Sequence, residues 1–264
     1  MGRMASTSSF PFQRALVTGA SSGIGETMAR LLLQAGVPVV AVARRRERLE
    51  ALADHGDVEV LTADLGTPEG QGAVIQRIGA QEAPVDLVVN NAGFGTSGWF
   101  HEQDADRFAA EIDLNITALT RLSHAALATM IPRGRGHLLN VSSVASFQPG
   151  PKLGVYSATK AYVTSLTQAL HEECRGTGVK VTALCPGLTK TEFQSVSNTE
   201  GYETQFPALA WTDVEMVART GLNDVARGRA VSVPGLLYKT LVSTSQVTPG
   251  FLARRVGGLV MKRR

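Results

Sequence analysis

Two residues four positions apart, Tyr156 and Lys160, have the types and spacing of an acid–base pair. The surrounding pattern predicts a helix, and side chains four apart on a helix emerge on the same face. A phenol has an ordinary pKa near ~10, so it is a poor proton donor or acceptor at neutral pH. A neighbouring ammonium stabilises the phenolate and lowers the pKa of the phenol toward the working pH. We therefore predict that Lys160 tunes Tyr156 for proton transfer, although the same pair also occurs by chance on helix surfaces.

Ser143 and Asn115 could complete this group. Ser143 ends a predicted strand, where its hydroxyl could donate to a substrate oxygen. Ser142 precedes it, and alternation along a strand points the two side chains in opposite directions. Asn115 is a polar residue within an apolar helical stretch, and a buried amide needs partners. A bound water or a backbone carbonyl near Lys160 would supply one, whereas either serine could simply form a turn.

A glycine-rich loop follows the first predicted strand and opens a helix, with the spacing G-x-x-x-G-x-G over residues 19–25. Gly19 permits a sharp turn, Gly23 lets the backbone approach a pyrophosphate, and Gly25 lets the helix lie close to the sheet. The free N–H groups and the dipole of the helix amino terminus favour phosphate. The residues between the glycines belong to the same predicted phosphate cradle: Ser21, Ser22 and Ile24.

Residues after the second, third and fourth predicted strands would contact the rest of a dinucleotide. An acidic residue after the second strand would bind the adenosine ribose, but this chain has Arg44 and Arg45 there. Either arginine could form a forked pair with a 2′-phosphate, or the run could be a solvated helix start. Asp64 could accept from the adenine amino group or cap a turn. The other predicted contacts are Leu65, Asn91, Ala92 and Gly93.

Apolar runs and helical patterns alternate along the chain and must position these groups. Strands apolar on both faces and separated by helices indicate a parallel sheet covered on both sides. We predict an α/β, Rossmann-type, doubly wound, mostly parallel seven-stranded sheet with helices on both faces, binding ligands beyond the carboxyl ends of the strands. The predicted strands are 15–17, 37–43, 58–62, 87–89, 137–141, 179–185 and 230–233. The predicted helices are 24–34, 46–53, 104–130, 156–177 and 212–226.

Together these motifs resemble those of the short-chain dehydrogenase/reductase family, over about residues 14–233. The resemblance rests on 18–25, 90–93, Asn115, Ser143, Tyr156, Lys160 and 186–187. It implies a catalytic tetrad of Asn115, Ser143, Tyr156 and Lys160. It also implies that Pro186, Gly187, Thr189 and Thr191 border the nicotinamide, and that Arg44 favours NADP(H) over NAD(H). Tyr156 would then give a proton to a carbonyl oxygen that Ser143 holds, while Lys160 binds ribose and Asn115 holds a water.

The implied function is hydride transfer between NADP(H) and a carbonyl or secondary alcohol, such as a 3-oxoacyl thioester, a ketone or a steroid-like carbonyl. One alternative is a regulatory protein that binds NADP without turnover. An epimerase or dehydratase on the same fold would need a larger substrate domain. A nucleic-acid binder is suggested only by basic residues, which is weak evidence.

Composition bounds the remaining features. Two cysteines and no metal-ligand spacing in 264 residues indicate a reducing compartment, and we predict a cytoplasmic protein. We predict a disordered segment 1–12, one domain 13–234 with a substrate lid at about 190–212, and a basic extension 235–264. No acidic residue follows Asp224, and the extension could contact a membrane or an acyl carrier. The resemblance implies a homodimer or homotetramer paired through the helices 104–130 and 156–177.

Overall fold

One parallel sheet of seven strands forms the centre of the protein. The structure, a computed structural model, describes residues 10–199 and 206–247. The strand order is β3-β2-β1-β4-β5-β6-β7, and every pairing is parallel. The strands are β1 Ala15–Thr18, β2 Val39–Ala43, β3 Val58–Thr62, β4 Leu87–Asn90, β5 Gly136–Val141, β6 Val179–Leu184 and β7 Val231–Ser232. The predicted fold class is confirmed.

Helices cover both faces of this sheet. They are α1 Gly23–Gln34, α2 Arg46–Glu50, α3 Pro68–Gly79, α4 Ala105–Ile112, α5 Leu119–Met130, α6 Gly154–Glu173, α7 Phe193–Val196, α8 Val214–Arg227 and α9 Leu236–Val247. A large apolar core lies on each face of the sheet, and successive side chains of β1 point alternately into one core and the other. Ala15 and Val17 pack into the core under α1 and α8, whereas Leu16 packs into the core under α3 and α5. Burial on both faces explains why the central strands β1, β2 and β4 are almost entirely apolar.

The direction of winding reverses between β1 and β4. From β1 the chain proceeds through β2 to β3 on one side, and β4 then starts the other side. Ligands of open α/β sheets bind at such a switch point, outside the carboxyl ends of the strands. The glycine-rich loop follows β1, and Asn91 follows β4. The fold therefore brings these two motifs to the same edge of the sheet.

The predicted helix 104–130 is one continuous helical segment with a π-helical turn in its middle. The turn spans Asp113–Ala118, between α4 and α5, and contains Asn115. A π turn inserts an extra residue into the helix and re-aims side chains, and such turns are frequent at functional sites.

The sequence analysis missed α3. Thr67 caps α3 by accepting a hydrogen bond from Gly70 N at 3.1 Å, and Pro68 occupies its first turn. Several glycines and few apolar residues hid the periodicity of this helix, but its capping signature was available in the sequence.

Both predicted chain boundaries need correction. Phe10 and Phe12 are buried in the core and stack at 5.9 Å between ring centroids, so the predicted disorder of 1–12 is wrong for these residues. At the other end, α9 lies within the predicted extension 235–264, yet its Tyr238 and Val242 are buried against β6 and β7. Residues 1–9 and 248–264 lie outside the described residues.

Candidate active site

Tyr156, Lys160 and Ser143 meet where α6 crosses the carboxyl end of β5. Tyr156 and Lys160 lie in the first two turns of α6, and both are buried. Lys160 Nζ donates to Val141 O at 2.9 Å and lies 5.8 Å from the centroid of the Tyr156 ring. The Ser143 side chain hydrogen-bonds Tyr156 and also accepts from Ala145 N at 3.1 Å. The predicted grouping of these three side chains therefore exists in the structure.

Burial dominates the proton affinity of this pair. Burial raises the pKa of Tyr156 to about 12, and the hydrogen bond with Ser143 offsets only part of that effect. Burial lowers the pKa of Lys160 to about 8. The sequence analysis expected Lys160 to bring the pKa of Tyr156 below its ordinary value, but burial instead places that pKa above it. Because the phenol is protonated at neutral pH, the site is set up to donate a proton.

Asn115 is fixed by the chain segment that follows β4. Its Nδ2 donates to Phe94 O at 2.8 Å and to Thr159 Oγ1 at 3.1 Å, and its Oδ1 accepts from Phe94 N at 3.2 Å. Gly93 lies beside both Asn115 and Lys160, since a Cβ there would fall 2.7 Å from Asn115 Oδ1 and 3.5 Å from Lys160 Nζ. The buried amide thus has a backbone carbonyl partner next to the lysine, as predicted.

Ser142 and Cys185 hold α6 on the sheet. Ser142 Oγ donates to Lys160 O at 2.8 Å and lies 2.7 Å from Thr164 Oγ1, so the alternation of Ser142 and Ser143 is as predicted. Burial raises the pKa of the Cys185 thiol to about 11, which keeps it protonated and unreactive. Both residues have a structural role.

The glycine-rich loop forms an open cradle at the start of α1. Gly19 and Gly23 have φ values of +66° and +59°, which side chains other than glycine rarely adopt. A Cβ at Gly19 would lie 2.7 Å from Asn91 Nδ2. The side chain of Ser22, the N-cap residue of α1, makes no capping hydrogen bond. The first N–H groups of α1 therefore lack a side-chain cap, which fits the binding of a phosphate.

The remaining residues of the loop support this cradle. Ser21 is buried and accepts from Arg45, Ile24 packs against the core, and Gly25 lies against Gly19.

Asn91 joins the two strands at the switch point. Its Nδ2 donates to Thr18 O at 2.9 Å, and Thr18 Oγ1 accepts from Asn91 N and Ala92 N at 2.9 and 3.0 Å. The Asn91 residue thus bridges backbone and side-chain groups at the ends of β1 and β4. They fix the floor of the cleft between the glycine-rich loop and the tetrad.

The two arginines after β2 have different surroundings. Arg45 Nη2 donates to Ser21 Oγ at 3.1 Å, and its Nη1 lies 2.8 Å from Glu192 Oε2. Arg48 contacts the other oxygen of Glu192 at 2.9 Å. Arg44 is 75% exposed, and its nearest charged partner among the described residues is Asp64 at 4.0 Å. Arg44 thus has its guanidinium open to a ligand, whereas Arg45 is held between the glycine-rich loop and the lid.

Asp64 and Leu65 mark the end of β3 in different ways. Asp64 Oδ1 accepts from Gly66 N at 2.9 Å and so caps a turn, one of its two predicted roles. Leu65 is buried in the core under α3. Its carbonyl oxygen accepts from Gln71 Nε2 at 2.9 Å.

The segment after β6 closes the cleft from above. Pro186 O accepts from Val144 N at 2.9 Å, Thr189 Oγ1 donates to Gly187 O at 3.1 Å, and the Thr191 side chain lies about 3.0 Å from where a Gly23 Cβ would be. Phe193 in α7 lies 5.6 Å from Tyr156 between ring centroids. The start of the predicted lid therefore covers both the glycine-rich loop and the tyrosine. Residues 200–205 of the lid lie outside the described residues.

Comparisons with known proteins agree with this geometry. Residues 13–201 match the short chain dehydrogenase family. The chain belongs to the short-chain dehydrogenase family. An uncharacterized oxidoreductase of Staphylococcus aureus (strain USA300) is 36% identical over 187 residues, which are 70% of this chain and 81% of that protein.

Two solved dehydrogenase structures have a fold similar to that of this short-chain dehydrogenase. A short-chain dehydrogenase from Sphingobium yanoikuyae in complex with NADPH is 33% identical, with a TM-score of 0.79 over 95% of this chain and 96% of that one. The bulky-bulky ketone specific alcohol dehydrogenase from Comamonas testosteroni is 31% identical, with a TM-score of 0.76 over 96% and 95%. The predicted enzyme class, a short-chain oxidoreductase with a Rossmann-type fold, is confirmed.

Sequence reasoning missed several residues that build the site. Glu192 and Arg48 meet only because the lid lies over α2, and the two are far apart in the chain. The Tyr238 hydroxyl, from α9, donates to Ala210 O at 2.7 Å and accepts from Leu188 N at 3.1 Å, pinning both ends of the lid. Glu111 is fully buried one helical turn before Asn115. An acidic residue on the apolar face of a helix was the available signal for Glu111.

Proposed function

We propose that this enzyme is an NADP(H)-dependent oxidoreductase that transfers a hydride between the nicotinamide and a carbonyl or secondary alcohol, with Tyr156 as the proton donor and acceptor. The observation that carries the proposal is the buried grouping of Tyr156, Ser143 and Lys160 beside an uncapped helix amino terminus. The similar protein from Sphingobium yanoikuyae is described with NADPH.

The chain offers a consistent set of contacts for the cofactor. The amino terminus of α1 and the open cradle at Gly19 and Gly23 would hold the pyrophosphate. Arg44, with Ser21 and Arg45, would bind a 2′-phosphate, which supports a preference for NADP(H) over NAD(H). When bound, the cofactor supplies or accepts the hydride. Asn91, Pro186 and Thr191 would border its nicotinamide half.

The residues of this chain supply proton transfer and orientation. Tyr156, held protonated by burial, gives its proton to the carbonyl oxygen as negative charge develops there. Ser143 holds the same oxygen by a hydrogen bond. Lys160 contributes positive charge beside the phenol, and its position is fixed by Val141 O. Asn115, anchored at Phe94, would hold a water that returns a proton to Lys160 and Tyr156.

Aromatic side chains around Tyr156 favour an apolar ketone as substrate. Phe193 faces the Tyr156 ring from the lid. Phe94, whose backbone holds Asn115, has Arg107 Cζ 5.2 Å from its ring centroid. The similar enzyme from Comamonas testosteroni is named as specific for bulky-bulky ketones. We therefore place ketones with two large apolar substituents, including steroid-like carbonyls, ahead of 3-oxoacyl thioesters.

A panel of carbonyls tests this proposal. Consumption of NADPH and NADH is measured with small ketones, diaryl ketones, steroid ketones and 3-oxoacyl thioesters. We expect turnover with NADPH, highest for the bulky ketones, and a KM for NADPH that rises in Arg44→Ala while that for NADH does not. Tight NADPH binding with no turnover on any carbonyl would instead support a regulatory protein.

We also propose that the protein forms a homodimer or homotetramer through α5 and α6. An open, largely apolar groove of about 480 Å³ lies between these helices. Its lining includes Leu127, Ala128, Ile131, Leu166 and Leu170. Light scattering should give a dimer or larger for the wild type and a monomer for Ala128→Arg. Ala53→Arg, at an exposed site away from the groove, is the control. A wild-type monomer would contradict the proposal.

The basic carboxyl-terminal segment has a separate proposed role, in a protein we place in the cytoplasm. Among the described residues, no helix is long and apolar enough to cross a membrane. Exposed Leu236 and Leu241 on α9 precede residues 248–264, which carry five basic and no acidic residues. We propose peripheral contact with an anionic membrane, or with an acyl carrier. Truncation after Val247 keeps the packed helix and should abolish sedimentation with anionic vesicles. Unchanged sedimentation and unchanged thioester turnover would refute both contacts.

A further inference from the structure

Glu111 is a fully buried acidic residue that the proposed mechanism does not yet use. It lies at the carboxyl end of α4, four residues before Asn115, with 0% of its surface exposed. Burying a carboxyl group without partners is costly, so such groups are paired, hydrogen-bonded or functional. It lies next to the π turn that contains Asn115.

A cluster of unpaired polar atoms surrounds this carboxyl group. Within the described ranges, both carboxyl oxygens of Glu111, Thr96 Oγ1 and Arg107 Nε are buried and have no hydrogen-bond partner. Arg107 uses its Nη2 elsewhere, on Gly95 O at 3.4 Å and on Val196 O. These atoms therefore form a cluster of buried polar groups on α4 and the segment after β4. Such a cluster must be satisfied by its own members or by bound water.

The groups that act on Glu111 come from three elements. Lys160 on α6 and Arg107 on its own helix are the two cations, and Thr96 is the polar neighbour on the segment after β4. Tyr156, also on α6, is close enough to feel its charge. Lys160 is the only one of the two cations that is itself buried beside the reacting phenol.

We propose that Glu111 is a positioning residue for the reaction: its buried carboxylate keeps Lys160 in the ammonium form and Tyr156 in the protonated form. This inference rests on the proposed function. Because Glu111 is fully buried, it acts in this proposal through the two residues on α6.

The electrostatics have the required signs. Burial works against a charged Lys160, and the negative charge of Glu111 is the first influence that raises the pKa of Lys160 again. The same negative charge raises the pKa of Tyr156, because it disfavours a second negative charge on the phenolate. Burial raises the pKa of Glu111, while Thr96, Lys160 and Arg107 favour its ionised form. The same carboxylate therefore favours the protonated form of both groups, as a smaller effect beside that of burial.

Direct titration of the lysine tests this proposal without cofactor or substrate. The chain has six lysines, and the pKa of Lys160 at about 8 separates it from lysines with ordinary values. The ε-carbon resonances of 13C-labelled lysine are followed against pH in the wild type and in Glu111→Gln, and Lys160→Arg assigns the signal. We expect the Lys160 midpoint to move to lower pH by roughly one unit in Glu111→Gln. An unmoved midpoint, or one that moves up, overturns the proposal.

Asp113→Asn is the matched control. It removes the same charge two residues further along the same helical segment, but Asp113 is exposed and therefore screened by solvent. We expect no change in the Lys160 midpoint. A shift equal to that of Glu111→Gln would show a general charge effect and overturn the specific role of Glu111.

Turnover gives a second readout of the same role. The pKa values of Tyr156 and Lys160 should both fall in Glu111→Gln. The alkaline limb of the pH profile for carbonyl reduction should therefore move to lower pH, and alcohol oxidation should also begin at a lower pH. If the wild type shows no turnover, the proposed function fails while the lysine titration still decides the role of Glu111.

A reciprocal measurement covers the case in which Glu111→Gln does not fold. The carboxyl carbon of Glu111 is then titrated in the wild type and in Lys160→Met. Loss of the ammonium should move the Glu111 midpoint to higher pH, and an unchanged midpoint would overturn the proposal.

Discussion

From the contact between the predicted lid and α2, we predict that Glu192 weakens the binding of NADPH but not that of NADH. Glu192 lies 2.8 Å from Arg45 and 2.9 Å from Arg48, and Arg45 also holds Ser21 of the glycine-rich loop. The hydrogen bond from Arg45 holds the pKa of Glu192 below its usual range, so the carboxylate is charged at neutral pH. A 2′-phosphate bound here would compete with the Glu192 carboxylate for the same arginines. NADH has an uncharged 2′-hydroxyl at this position and would not compete.

The magnitude follows from the exposure of the groups. The side chains of Glu192, Arg45 and Arg48 are 39%, 44% and 50% exposed, so each ion pair is worth no more than about 1 kcal/mol. Replacing Glu192 with Gln should therefore tighten NADPH binding by up to about fivefold, the factor that corresponds to 1 kcal/mol. Binding of NADH should change by less than about twofold.

Cofactor fluorescence measures both dissociation constants on the same protein. Glu215→Gln is the control, because Glu215 makes an exposed ion pair with Arg219 at 2.7 Å on α8, away from the lid. It should leave both constants unchanged. Weaker NADPH binding in Glu192→Gln, or an equal change for the two cofactors, would refute the competition between carboxylate and phosphate.

Two further predictions concern stability. Burial lowers the pKa of His137 in the folded protein below its value in the unfolded chain. Between these two pKa values the unfolded chain therefore binds more protons than the folded protein. The folded protein consequently loses stability as the pH falls from the unfolded pKa to the folded pKa. The urea midpoint should thus fall more from pH 7.5 to pH 5 in the wild type than in His137→Gln, and equal falls would contradict this. Tyr238→Phe removes the hydroxyl that bonds Ala210 O and Leu188 N, so it should lower the free energy of unfolding by about 1–3 kcal/mol and reduce kcat/KM with little effect on the Kd of NADPH. Tyr162→Phe, whose hydroxyl makes only an exposed bond to Thr120, should be near neutral, and similar losses in both variants would show no special role for α9.

The repeating elements of the fold were predictable because their signals are local. β3 spans Val58–Thr62, as its apolar run predicts, and the glycine-rich loop, Ser143 and the Tyr156–Lys160 pair lie on the elements that the periodicity assigned to them. A strand buried on both faces and a helix opened by glycines can be identified within a dozen residues. The order of these motifs along the chain then determines which edge of the sheet they share.

The features that were missed depend on contacts between distant segments. The ion pairs of Glu192 form only when the lid crosses α2, and Tyr238 reaches the lid from beyond the last strand. The π turn at Asn115 has the same apolar pattern as an ordinary helix. The pKa of Tyr156 is raised because burial outweighs the hydrogen bond with Ser143, and the degree of burial cannot be known from spacing alone.

The central claim is that Tyr156 transfers the proton in a reaction driven by bound NADPH. Tyr156→Phe keeps the ring that packs on Phe193 and removes only the hydroxyl. The Kd of NADPH and the rate of NADPH consumption with the best ketone are measured for the wild type and this variant. We expect a Kd within about twofold and a rate reduced by about 10²-fold or more, the contribution of a positioned general acid. A variant that binds NADPH normally and keeps its rate within a few-fold would contradict the assignment of Tyr156.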